Sequence, residues 1–394
     1  MKNLMNIILV VFDTLRKDCI GVYGSPPWGK VHTPHLDNFA QESLTYTRVY
    51  PEVLPTLPAR RALYTGQRVY PFFNSDFRLK GDFAGAPGWG PIPESQTTLA
   101  EVLRDHGGYR TGLISDVYHQ FKPSKNFWRG FDQWMFLRGQ ETDPYRSGPE
   151  PTQDEIDYWL PPELQGSERK GVDFIRQCLM NMYGREKEED YFNARVMIEA
   201  GRWLEQNQDA EKFFLVVESF DPHEPWFVPE HYRRMYDPGN GREQVISGYR
   251  DIEYFSPDLL HRTQANYSGL VTMCDRWFNH LYETVRTLGL LENTAIIIVS
   301  DHGHSIGDGN YIGKRGYPTD PSVFDIALFV RHPEGSGAGQ RFNQLLQHTD
   351  ISAQILEFAG VKPPQALHGQ PFWQQAISGV NRSAIASRSD GAAP

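Results

Sequence analysis

The chain has 394 residues, 39% of them hydrophobic and 13% aromatic, with 28 prolines. That composition supports a large core and loop-rich globular architecture, and it excludes a disordered or fibrous chain. A formal net charge of −10, from 39 Lys and Arg against 49 Asp and Glu, argues against a binder of nucleic acid or of anionic membrane surfaces.

In chain order, Asn6–Phe12 reads as an apolar first strand, which stops at Asp13. The run is too short for a membrane span, and no small-residue cleavage site follows it, so the start reads as a buried strand of a soluble, cytoplasmic protein. Pro34–Ser43 reads as a helix, Leu44–Val49 as a strand and Pro58–Thr65 as a helix that begins just after Thr56. A helix over Thr97–His106 and a strand over Arg110–Ile114 follow. Glu189–Asn207 is helical, Phe213–Glu218 a strand, Asn266–Leu288 a long helix and Ala295–Ser300 a strand. Ile326–Arg331 and a helix over Asp350–Ala359 complete the series. Apolar strands alternating with amphipathic helices predict an α/β fold, with a doubly wound, mostly parallel sheet flanked by helices.

Residues 120–188 break this rhythm with Pro, Gly, Trp and charge, and read as a long insertion over one sheet edge. From about residue 335 a small C-terminal subdomain is expected, so the domain reading is 1–334 and 335–394. Cys19, Cys178 and Cys274 are odd in number and unpatterned, which predicts reduced thiols and no cysteine metal site.

In such a sheet, ligands gather at the carboxyl ends of the strands. Asp13, Asp221-Pro222-His223-Glu224-Pro225 and Asp301-His302-Gly303-His304 all follow strands. Each has a plainer reading: Asp13 as a helix cap, and Asp301-His302 as a turn aspartate beside a surface histidine. As a pair, Asp301 and His302 also suit a divalent cation. Thr56, with Pro58 two residues on, fits an N-cap, and a helix N-terminus also offers N–H groups to an anion. Arg60 would lie one turn further on, either as a surface arginine or as a fork-shaped partner for phosphate or sulfate oxygens. Lys314 lies in a glycine-rich loop.

Taken in order, these segments resemble the sulfatase branch of the alkaline phosphatase superfamily. The resemblance rests on Val11-Phe12-Asp13-Thr14, Thr33-Pro34-His35-Leu36-Asp37, Thr56-Leu57-Pro58-Ala59-Arg60 with Thr65-Gly66, Ser300-Asp301-His302-Gly303 and His348-Thr349-Asp350-Ile351. It implies an alkaline-phosphatase-like fold and an ester hydrolase with one divalent metal ion (Mn²⁺, Zn²⁺ or Ca²⁺). Asp13, Thr56, Asp301 and His302 would hold that ion. Thr56 would be the nucleophile, Arg60 its orienting cation, His223 a substrate contact or proton donor, and Lys314 an anion contact. Asn74, Tyr118 and His119 are weaker candidates for substrate contact. The resemblance also gives His348 and Asp221 as candidates for a second metal, although a single ion fits the spacing better.

The departures carry weight. Phe12 stands where the family has a first acidic residue. His302 replaces a usual asparagine and makes the motif similar to that of phosphonate monoester hydrolases and phosphodiesterases. Thr56 stands where sulfatases keep the cysteine that becomes formylglycine, and a threonine cannot be so converted. It can act as an alkoxide nucleophile held on a metal. A threonine ester of sulfate has no aldehyde exit, whereas a phosphothreonine is open to a second in-line attack. The expectation is a metal-dependent hydrolase of phosphate diesters or phosphonate monoesters. The alternatives are a sulfatase independent of formylglycine and an inactive, anion-binding homologue. The partner is a small anionic ester, with no nucleic acid and no membrane; assembly into a homo-oligomer is left open.

Overall fold

The computed structural model describes residues 5–69, 82, 86–122, 124–160, 169–243, 249–315 and 320–378. Strands are β1 (Asn6–Phe12), β2 (Leu44–Tyr50), β3 (Arg110–Ser115), β4 (Gln133–Phe136), β5 (Phe213–Ser219), β6 (Arg250–Asp251), β7 (Thr294–Ser300), β8 (Ser305–Ile306), β9 (Tyr311–Gly313), β10 (Ile326–Arg331) and β11 (Arg341–Gln347). Eight of them form one sheet in the order β11-β2-β10-β7-β1-β5-β3-β4, and β6-β9-β8 form a small second sheet. Every neighbouring pair in the large sheet is parallel except those made by β10, which runs against both β2 and β7.

The apolar strands are buried on both faces because helices cover both. Alternate residues of β1 feed different cores: Ile8, Val10 and Phe12 face one, Ile7, Leu9 and Val11 the other. The first core is closed by α1 (Pro34–Gln41) together with helices over Phe192–Asn207 and Pro257–Thr287. The second is closed by α2 (Thr56–Thr65), α3 (Leu99–Asp105) and a helix over His348–Ala359. Local signals set the ends. Thr98 and Glu101 form a reciprocal capping box on α3, and α2 stops at Gly66, whose φ of 64° is the left-handed conformation that glycine adopts freely.

The insertion extends the sheet and adds its own helices. β4 pairs with β3 at the sheet edge, while α4 (Gln153–Trp159) and α5 (Arg169–Met182) share a small core with Phe227, Leu259 and Ile312. That core seats the insertion against the loop after β5. The helices after it are α6 (Phe192–Asn207), α7 (Pro257–Thr287) and α8 (His348–Ala359). α7 begins nine residues before the expected Asn266, because Ser256 caps it and Pro257 occupies its first turn. The stretch from residue 335, read as a C-terminal subdomain, is continuous with the main sheet: β11 pairs with β2, and α8 packs on α2 and α3. The three cysteines are buried and unpaired. Among the described residues no helix is long and apolar enough to cross a membrane.

One glycine fixes the turn after β7. A Cβ on Gly303 would stand 1.9 Å from the backbone oxygen of Ser322, a contact that only a backbone shift relieves. Gly303→Ala is expected to cost about 1–3 kcal/mol, as overpacking of a rigid site does. Urea unfolding of the variant beside the parent chain measures it.

Candidate active site

Three strand ends meet in the middle of the sheet. Phe12 is in register with both Ser219 and Ser300, so the residues that follow, Asp13 and Asp301, emerge side by side. Backbone bonds lock them there: Asp13 N–H donates to Ser219 O at 2.9 Å, and Asp301 N–H to Phe12 O at 3.2 Å. Thr14 turns the chain with a φ of 54°, unusual for threonine, and its N–H donates to Asp301 Oδ1 at 3.0 Å.

Asp13, Asp301 and His302 are fully buried, and one ligand atom from each lies within 4.8 Å of the others. Among the described residues, Asp13 Oδ1 and His302 Nε2 have no hydrogen-bond partner. His302 Nδ1 lies 3.0 Å from Gly303 O, which assigns its proton to that side and leaves Nε2 as the lone-pair donor. Two carboxylates, one imidazole and two orphaned buried donor atoms fit a divalent cation.

Arg60 comes up beneath this group from the second turn of α2. Its Nη1 donates to Asp13 Oδ2 at 2.8 Å, to Asp301 Oδ2 and to the carbonyl of Thr56 at 3.3 Å, while Nε donates to Glu218 Oε2 at 2.5 Å. Burial opposes the guanidinium charge, but Glu218, Asp301 and Asp13 outweigh it and hold the group charged. One cation facing three carboxylates leaves two negative charges uncompensated, a further match to a divalent ion. Burial and the neighbouring Asp301 push the Asp13 carboxyl well above its usual range. Asp301, although buried, is held low by His302, Arg60 and the Thr14 N–H. Among the described residues, Arg60 Nη2 has no hydrogen-bond partner.

A second set of groups follows β5 and β9, with His304 between β7 and β8. Lys314 Nζ lies 2.5 Å from His223 Nε2, and Lys314 is near enough to weigh on Asp13 and His302. Glu224 Oε2 lies 3.3 Å from His223 Nδ1, 3.4 Å from His304 Nδ1 and 3.8 Å from Lys314 Nζ, and Tyr249 donates to Glu224 Oε1 at 2.8 Å. Burial, aided by Lys314, holds His223 well below the usual imidazole value and His304 down to about 3.

The structure therefore brings Asp13, Asp301, His302, Arg60 and the backbone of Thr56 into one hydrogen-bonded group, with His223 and Lys314 beside it. Thr56 is 2% exposed and occupies the first position of α2. His119 Nε2 lies 3.4 Å from Glu141 Oε2, and the Tyr118 hydroxyl lies 3.2 Å from the Thr142 hydroxyl. Asn74 lies outside the described residues. His348 and Asp221 do not join the metal group: His348 Nε2 is spent on Ser300 O, and Asp221 on Gln140 and the Asn193 N–H. The sequence reading gave no individual role to Glu218, Glu224, Glu141 or His304, although Glu224 and His304 lie in clusters it named. Glu218 had a signal, a carboxylate closing the apolar run Phe213-Phe214-Leu215-Val216-Val217.

A family model described as Sulfatase matches residues 5–361. The chain belongs to the sulfatase family. It is 25% identical to the arylsulfatase of Clostridium perfringens over 389 residues, spanning 92% of this chain and 76% of that one. It is 24% identical to the multifunctional alkaline phosphatase superfamily protein PehA of Trinickia caryophylli over 418 residues, 93% of this chain and 76% of that one. The fold matches the crystal structure of the phosphonate monoester hydrolase of Agrobacterium radiobacter with a TM-score of 0.68 and 22% identity, covering 97% of this chain and 78% of that chain. This sulfatase-family chain is thus a hydrolase acting on ester bonds.

Two outcomes follow. Titration with Mn²⁺ of the chelator-treated protein should show about one tight equivalent, which Asp301→Asn or His302→Ala abolishes while the thermal transition persists. Acid should also destabilise the metal-free protein. His348 is held neutral by burial, its value lowered from 6.5 to about 4, so the unfolded chain binds its proton first. Stability is complete above pH 6.5 and falls through to about pH 4, by about 3 kcal/mol for this group. Urea midpoints across that range, in the parent and in His348→Gln, read the slope.

Proposed function

We propose that the chain hydrolyses singly charged phosphorus esters, phosphate diesters or phosphonate monoesters, with Thr56 as nucleophile and one divalent ion on Asp13, Asp301 and His302. The observation that carries this reading is Thr56 at the start of α2, its carbonyl on the same Arg60 nitrogen that binds Asp13 and Asp301. A nucleophile at that position needs a hydroxyl, and threonine supplies one directly. The bound ion would supply Lewis-acid activation of the hydroxyl and of the ester.

The remaining roles follow from placement. Arg60 Nη2 and the backbone N–H groups at the start of α2 are donors for the ester's non-bridging oxygens. Lys314 adds a second cation, and His223 beside it is placed to give a proton to the departing oxygen. The charge balance supports a monoanion. Arg60, Lys314 and a divalent ion face the carboxylates of Asp13, Asp301, Glu218, Glu224 and Glu141, an arrangement already one negative charge in excess before substrate arrives. A dianionic phosphate monoester is disfavoured there. Between phosphorus and sulfur, the threonine decides. Its phosphate ester can be cleared by a second in-line displacement, whereas its sulfate ester lacks the aldehyde collapse open to formylglycine.

With added Mn²⁺ or Zn²⁺, turnover of an aryl phosphodiester or aryl phosphonate monoester should exceed that of the matching aryl sulfate. Faster sulfate cleavage would sink the assignment to phosphorus. Thr56→Ala should lower kcat on the order of 10³-fold or more with metal binding retained, and Thr56→Ser should keep a measurable rate.

A further inference from the structure

The insertion places one acidic side chain inside the site. Glu141 is 7% exposed, and its Oε1 lies 3.3 Å from His223 Nδ1 while Oε2 lies 3.4 Å from His119 Nε2. One carboxylate thus spans two histidines from different elements. We propose that Glu141 is a positioning residue for ester hydrolysis, orienting His223 and supporting its positive form while it gives a proton to the leaving oxygen. This inference rests on the proton-donor role of His223 in the reading above.

The loop is built to hold that carboxylate in place. Gln140, one residue earlier, donates through Nε2 to Asp116 Oδ2 at 2.8 Å and to Asp221 Oδ1 at 3.2 Å, tying the insertion to the ends of β3 and β5. Asn181 of α5 donates to the Glu141 carbonyl at 3.1 Å and to the Asp143 carbonyl at 2.8 Å. Asp143 in turn accepts from Gly139 N–H at 2.9 Å and from Arg138 Nη2 at 2.6 Å. Glu141 itself has a φ of 44°, a left-handed conformation that glutamate rarely adopts. A non-glycine residue keeps that conformation when its surroundings over-determine it, and such residues concentrate at functional sites.

The groups around His223 divide its two nitrogens. On the Nδ1 side stand the Glu224 carbonyl at 2.6 Å, the Glu141 carboxylate and the Glu224 carboxylate, all acceptors. On the Nε2 side stands the Lys314 ammonium; the Phe220 ring stacks on the imidazole face with centroids 4.1 Å apart, and the His304 imidazole lies beyond the Glu224 carboxylate on the Nδ1 side. The resting ring therefore carries its proton on Nδ1 and accepts from Lys314 at Nε2. As the ester bond breaks, Lys314 passes a proton to His223 Nε2, and the imidazolium so formed gives that proton to the departing oxygen. The pair is left one proton poorer and is recharged from solvent. Glu141 and Glu224 stabilise the imidazolium through this transfer, opposing Lys314.

A leaving group that departs without help does not need that proton. In the metal-loaded enzyme, Glu141→Gln should lower kcat/KM about 10- to 100-fold on a phenyl ester but only about threefold or less on the 4-nitrophenyl ester of the same acid. Glu141→Asp should recover part of the phenyl-ester rate, and it carries the comparison if the glutamine variant does not fold. Equal losses on both esters, or no loss on either, would overturn the inference. A parent enzyme inactive on phosphodiester, phosphonate and sulfate esters alike would instead overturn the hydrolase reading and this inference with it.

Discussion

The site depends on a single buried cation. Arg60, fully removed from water, is held by Glu218 from β5, Asp13 from β1 and Asp301 from β7, and it also reaches back to the Thr56 carbonyl in its own helix. An unpaired guanidinium at such depth would be prohibitively costly, so the three strand ends and α2 must arrive together. Glu218 is itself fixed by the Tyr64 hydroxyl at 2.7 Å and the Gln120 amide at 3.0 Å. The start of α2 is therefore pinned to the sheet by ionic contacts as well as by apolar packing. Removing one carboxylate would leave the rest of the network mismatched, which is why such groups act as a unit.

Much of this was legible in the sequence. β1, β5, β7 and β10 are uninterrupted apolar runs, and continuous burial on both faces is what a helix-covered parallel sheet demands, so their positions were read to within a residue or so. Asp13, Asp301 and His302 were legible because polar residues that end buried strands have few other reasons to be there. β4 and β11 were not. Gln133-Trp134-Met135-Phe136 is too short to show a period, and Arg341-Phe342-Asn343-Gln344-Leu345-Leu346-Gln347 is half polar because it forms a sheet edge. The specific contacts of Glu141 and His304 were hidden for another reason. Their roles come from contacts across 82 and 80 residues, with His223 and Glu224 respectively, and no local pattern encodes such distances.

The proposed catalytic face is assembled from two kinds of structure. Asp13, Asp301 and His302 sit at the ends of central strands, where register fixes their separation and leaves little freedom to vary. His223, Glu224, Lys314 and Glu141 sit on loops and on the insertion, anchored by hydrogen bonds and by the small core around Trp159 and Phe227. Rigid strands suit a metal, whose ligand distances tolerate little error. Loops suit the side that meets the variable part of an ester, because loops accept change without loss of the core.

Threonine at position 56 has a consequence for how the protein comes into being. A residue that must be oxidised after synthesis makes a protein depend on a second enzyme and on the moment before folding closes the site. Thr56 lies 2% exposed beneath its neighbours, yet it arrives from the ribosome with its hydroxyl in place. With Thr56 as the proposed nucleophile, competence would rest on folding and on the divalent ion, with no oxidation of residue 56 beforehand.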